Sequence, residues 1–209
     1  METTLEVRWF GPDHVPDLLS CRFDDLGAPG PRIRTDTYLL LPGTDDLGVK
    51  LREGGEAFEL KLRQHDFGDA KFVDVAGNLE RWQKWSFSVG DPACREVAMG
   101  LPSGSLVDVE KGRRLLTYRL APDGSVGPVD DRAGDGCSVE ITTLTVPGSK
   151  WWTFGFEAFG AGERLADALT ATADAFFAGA EAASVLAHAP SCGYPAWLRT
   201  TVGEAAARG

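Results

Sequence analysis

Residues Leu47–Arg63 read LGVKLREGGEAFELKLR. Two runs of period two flank the Gly54-Gly55 pair. In the first, Leu47, Val49 and Leu51 share one face, and Lys50 and Arg52 the other. In the second, Phe58, Leu60 and Leu62 oppose Glu59, Lys61 and Arg63. Alternation of this kind predicts half-buried β-strands. The glycine pair predicts a hairpin, because glycine tolerates the positive φ of tight turns. Pairing the strands gathers four cations and one carboxylate on one face. If that face meets solvent it is an ordinary charged surface, as Lys-rich strands often show. If the sheet curls around it, it is a polyanion site.

The rest of the chain bounds these alternatives. Its 209 residues suit one domain, expected to span 1–209 with an ordered core of about 4–200. Hydrophobic residues make up 43% and charged residues 25%, enough to bury a core. The net charge of −10 argues against nucleic acid as a partner. It also makes a concentrated basic face more notable. No apolar run is long enough to span a bilayer, and METTLEVRWF lacks the order of a signal peptide, so a cytoplasmic protein with no membrane partner is expected. Cys21, Cys94, Cys137 and Cys192 form no CxxC pair, which predicts four reduced cysteines. His14, His65 and His188 are too scattered for a metal site or a triad.

In chain order, Leu5–Phe10 is a predicted strand, with Glu6 and Arg8 on one face. Val15–Phe23 is a predicted short helix with Asp13 as N-cap. Thr35–Leu41 is β-prone. After the central hairpin, a short strand over Lys71–Val75, a turn at Gly77-Asn78 and a strand over Leu79–Val89 are expected. Pro92–Met99 reads as a short helix, Leu106–Leu120 as a long strand and Ala121–Gly136 as an exposed loop. Ser138–Val146 and Trp151–Phe159 are two further strands, and Leu165–Leu186 is an Ala-rich helix. About eight strands joined by turns predict an α+β protein: a closed antiparallel β tunnel with flanking helices and a late C-terminal helix.

Basic residues at alternating positions recur on several strands, as Lys50 and Arg52, Lys61 and Arg63, and Lys111 and Arg113. If the apolar faces pack outward, these cations line the tunnel. Glu6, Glu59, Glu80, Glu140 and Glu157 could offset part of that charge, or hold a hard cation such as Mg²⁺ or Mn²⁺ through oxygen. Cations on phosphates beside acids on a metal is what phosphoryl transfer needs. Trp82 falls on the same polar face as Glu80 and Lys84, where an organic ring could stack on it.

The chain resembles the CYTH superfamily, the triphosphate tunnel metalloenzymes. That family's opening E-x-E-x-K aligns with Thr4, Glu6 and Arg8. Its D-x-Y strand resembles Asp36-Thr37-Tyr38, and its L-R-x-R resembles Val49-Lys50-Leu51-Arg52. Glu59-Leu60-Lys61, Lys111-Gly112-Arg113 and Glu157-Ala158-Phe159 resemble the following motifs, and Gly193–Leu198 the C-terminal segment after the helix. Thr4 and Phe159 stand where the family carries carboxylates. The resemblance implies Mg²⁺- or Mn²⁺-dependent hydrolysis of a triphosphate-containing small molecule or inorganic polyphosphate. It implies Lys61 and Glu157 as catalytic residues. Arg8, Lys50, Arg52, Lys61, Arg63, Lys84, Lys111 and Arg113 would bind phosphate, and Glu6, Glu59, Glu140 and Glu157 metal. The two missing carboxylates leave a second reading open: a module that binds phosphate without turning it over.

Overall fold

A computed structural model describes residues 1–41, 43–52, 57–72, 74–88, 106–179 and 181–203. The expected Gly54-Gly55 turn, the Pro92–Met99 helix and Cys94 lie outside the described residues. Among the described residues nine strands follow one another in an all-antiparallel sheet: β1 (Glu2–Pro12), β2 (Arg32–Leu39), β3 (Leu47–Arg52), β4 (Ala57–Phe72), β5 (Val75–Ser88), β6 (Leu106–Leu120), β7 (Val126–Val129), β8 (Gly136–Val146) and β9 (Ser149–Phe159). The order β2-β3-β4-β5-β1-β9-β8-β6 is closed by pairing of β2 with β6, so eight strands form a barrel. The short β7 adds to the far end of β6, within the segment expected to be loop.

Period-two alternation sets the two sides. On β1, Leu5, Val7 and Trp9 face outward into a core under helices α1 (Asp17–Asp25) and α2 (Leu165–Phe177). Helix α2 buries Leu165, Ala168, Leu169, Thr172, Ala173, Phe176 and Phe177, the i, i+3, i+4 stripe of a helix lying on a sheet. Its Phe176 packs at 5.3 Å from Phe154 of β9 and 5.5 Å from Phe23 of α1. The helix expected to reach Leu186 stops at Phe177. Gly179 takes φ +65°, a left-handed turn that ends helices, and a 3-10 segment covers Glu181–Leu186. Helix α1 starts at Asp17 after Pro16, two residues later than expected. Asp13 does not cap it; it sits at φ +62° with its N–H bonded to the Lys150 carbonyl.

The β4–β5 pair is longer than the sequence reading allowed. Both strands run past the barrel, and Gly77 and Asn78 pair with Ala70 and Asp69 instead of turning. Gly77 serves close approach: a Cβ there would lie 2.4 Å from the Trp9 ring. A second apolar cluster fills one end of the barrel interior. Helix α3 (Tyr194–Leu198) inserts Trp197, which stacks on Phe10 at 5.0 Å, among Tyr38, Val107, Val109, Leu144 and Val146. This floor lies opposite the end where Glu2, Lys84 and Arg132 gather. Among the described residues no helix is long and apolar enough to cross a membrane. Cys21, Cys137 and Cys192 are free thiols.

Candidate anion-binding site

Above the aromatic floor the barrel encloses a cavity of about 350 Å³. Its wall is built by register. Glu6 of β1 stands directly between Glu80 of β5 and Glu157 of β9, so three carboxylates form one row across three strands. Lys61 pairs with Lys84 across β4 and β5, and Lys50 with Glu59 across β3 and β4. Nine cationic and six carboxylate side chains line the cavity, a positive surplus inside a chain of net charge −10.

Seven of the eight expected phosphate-binding residues lie on this wall: Arg8, Lys50, Arg52, Lys61, Lys84, Lys111 and Arg113. Arg63 does not line it; it turns to Asp46, Asp66 and Glu80. The expected metal-binding acids Glu6, Glu59, Glu140 and Glu157 all lie on the wall. Sequence reasoning gave no site role to Arg34, Tyr38 or Arg132, which also line it. Arg34 and Tyr38 share the face of Asp36 at i±2, a signal that alternation alone could have supplied. Arg132 comes from the loop between β7 and β8, where no periodicity points inward.

Each acid is held by organic cations. Lys61 Nζ sits 2.5 Å from Glu6, which also accepts from the Thr4 hydroxyl. Glu59 accepts from Arg52 at 2.6 Å and Lys50 at 3.0 Å. Arg8 at 3.1 Å and Arg113 at 3.4 Å flank Glu140, and Thr142 donates to it at 3.0 Å. Burial pushes the Glu140 carboxyl up, but Arg8, Arg113 and Lys111 outweigh it and hold the pKa at about 2. Glu157 is likewise held well below the usual carboxylate range, burial being outweighed by Lys61, Arg132 and Lys84. Glu80 differs: burial wins over its bonds from Arg63 and Trp82, and its carboxyl is raised.

Behind the wall, Asp36 is completely buried and serves three cations: Arg34 and Lys50 at 3.3 Å and Lys111 at 3.4 Å. Burial opposes its ionisation, but these neighbours bring the pKa to about 2. Lys111 is 3% exposed and donates to Tyr38 Oη at 2.6 Å. Its ammonium lies 4.1 Å from the Tyr194 ring centre and 4.8 Å from that of Tyr38. Burial, and then Lys50, depress its pKa well below the ordinary lysine value.

The aromatic wall is already used by cations. Trp82 is 2% exposed, with Lys61 at 5.7 Å and Arg63 at 6.0 Å from its ring centre. Gly193 closes on it so tightly that a Cβ would lie 2.7 Å from the ring. The Trp82 ring lines the cavity but is little exposed, and Lys61 and Arg63 already lie against it.

Hard oxygen donors such as these acids suit Mg²⁺ or Mn²⁺. Among the described residues, however, no three acidic, histidine or cysteine side chains converge into a group that could hold an ion. As arranged, each of these acids is paired with lysine or arginine instead.

No protein-family model matches this chain. No curated protein matches it either. Solved structures do show likeness. The PH1012 protein of Pyrococcus horikoshii aligns over 88% of this chain and 93% of its own, at 15% identity and TM-score 0.42. A conserved hypothetical protein of Pyrococcus furiosus aligns over 83% and 90%, at 13% identity and TM-score 0.42. A candidate adenylate cyclase of Bacillus halodurans aligns over 86% and 94%, at 12% identity and TM-score 0.40.

Proposed function

We propose that this chain is a CYTH-type tunnel protein that binds the phosphates of a triphosphate or inorganic polyphosphate inside its barrel. The observation that carries this is the charge of the cavity wall, nine cations against six carboxylates. Counting buried Asp36, and taking Lys111 as uncharged, still leaves the balance positive. Such a surplus, confined in a low-dielectric wall, favours a compact polyanion. Arginine forks and lysine ammonium groups together suit phosphate oxygens. The rings of Tyr38, Trp82 and Tyr194 carry Lys111, Lys61 and Arg8, so the wall offers charge instead of a π surface. The phosphates, not an organic base, are thus the recognised part.

A second reading, metal-dependent hydrolysis of the same ligand, draws on the in-register row Glu80, Glu6 and Glu157. Both readings are tested in one experiment. Melting temperature and phosphate release are measured with inorganic triphosphate, ATP and thiamine triphosphate, each with Mg²⁺, with Mn²⁺ and with chelator. Ligand at a hundred times Kd stabilises by about 2.7 kcal/mol, an upward shift of about 5–10 °C for a chain of this size. No shift with any polyanion refutes the binding site. Metal-dependent release, lost in Lys61→Ala and Glu157→Ala, establishes the hydrolase.

A further inference from the structure

The loop between β7 and β8 sends one residue across the barrel. Arg132 Nη1 donates to Glu157 at 2.8 Å and Nη2 to Glu2 at 2.7 Å, tying β9 to β1 at the upper rim. Its guanidinium carbon lies 4.4 Å from the centre of the Phe159 ring, so the planar group is held on three sides. The side chain is one-third exposed and lines the same cavity as Lys61 and Lys84. A guanidinium has five N–H donors in a rigid fork. Two of these donors are engaged by acids while the side chain lines the cavity.

Divalent ions need acids free to converge. Here Glu157 is held by Arg132, Glu6 by Lys61, Glu80 by Arg63, and Glu140 by Arg8 and Arg113. A divalent ion arriving alone would have to break these pairs inside a wall that already carries surplus positive charge. An anion meets the opposite situation: Arg132 and Lys61 can each share an acid and a phosphate oxygen, since both present several donors.

Resting on the phosphate-binding reading, we infer that this barrel holds its polyanion without a divalent metal, with Arg132 supplying at Glu157 and Glu2 the positive charge that binds the ligand. The consequence is a clamp whose affinity does not depend on Mg²⁺. Arg132 is a binding residue.

The test is isothermal titration of the full chain with inorganic triphosphate in chelator, with a parallel titration of Mn²⁺ alone. Triphosphate is expected to bind in chelator, and Mn²⁺ alone to give no saturable heat. Arg132→Gln is expected to weaken triphosphate by about tenfold or more, the worth of a charge-assisted hydrogen bond. Arg132→Lys is expected to recover part of that loss, since charge is kept and the fork is not. Because Arg132→Gln also takes a partner from Glu157 and Glu2, both variants are titrated well below their own melting temperatures, so that the affinity is read on folded protein. Triphosphate binding that appears only with Mg²⁺ or Mn²⁺, or saturable Mn²⁺ binding to the free protein, overturns the inference and leaves the phosphate site standing. Unchanged affinity in Arg132→Gln also overturns it. No binding under either condition removes both the inference and the reading beneath it.

Discussion

Asp36→Asn removes a buried negative charge behind the cavity wall while keeping shape. The residue is fully buried and faces three cations within 3.4 Å. Deleting one partner of a buried ion pair typically costs about 3–5 kcal/mol, because the other charge is left uncompensated. Two features pull this toward the lower end. Lys50 keeps Glu59 at 3.0 Å, and Lys111, already depressed by burial and by Lys50, can shed its proton. The ionisation of Asp36 gives an independent measure. Its pKa of about 2 lies below the unfolded 3.8, and at about 1.4 kcal/mol per unit this is roughly 2–3 kcal/mol. A loss near 3 kcal/mol is a fall of about 6–12 °C in melting temperature for about 200 residues. Because the folded pKa is the lower one, the contribution is complete above about pH 4 and disappears as pH falls through about 2. The gap between parent and Asp36→Asn should therefore be constant from pH 7 to about 5 and narrow below that. Calorimetry across this range reads both. Inorganic triphosphate should stabilise the variant more than the parent, since it restores negative charge beside Lys50. A variant melting within about 2 °C of the parent at pH 7, or a gap that does not narrow in acid, would refute the account of this cluster.

Two further outcomes follow from the floor and from the buried lysine. Trp197→Ala deletes a 2% exposed ring stacked on Phe10 and should cost about 3–5 kcal/mol, measured by chemical denaturation; a loss below about 1 kcal/mol would mean that the floor is not packed. Lys111→Met should keep the parent's stability within about 1 kcal/mol at pH 7, because a lysine whose folded pKa lies below its unfolded value costs stability when protonation is demanded. A fall of more than about 6 °C in its melting temperature would show that the ammonium holds the fold together.

The strands that carry strict alternation were legible from sequence. Leu106–Leu120 is β6 to the residue, and Lys50, Arg52, Glu59 and Lys61 reach the cavity as alternation demands. The errors arise where one residue type has two physical uses. Gly77 looked like a turn and is instead a gap for the Trp9 ring. Gly179 falls inside the predicted Leu165–Leu186 helix, and its positive φ ends that helix early. Trp82 lies on the face that alternation predicts, while its partners Lys61, Arg63 and Gly193 come from distant positions that no local pattern announces. Arg63 follows the same parity as Lys61, yet Asp46 and Asp66 near the lower end draw it off the wall. Arg132 was invisible for the opposite reason: it acts from an acidic loop whose composition reads as solvent-exposed, and only closure of the barrel brings it to Glu2 and Glu157.

The stacked floor of Phe10 and Trp197 has a consequence for how such a barrel would count its ligand. If the proposed phosphate site holds, a barrel floored at this end would admit a linear polymer by its tip. Each phosphate chain then offers two places to bind, whatever its length. Capacity measured per chain is fixed, while capacity measured per gram falls as the polymer grows. The protein would report how many ends are in solution, and be blind to how much phosphate lies between them.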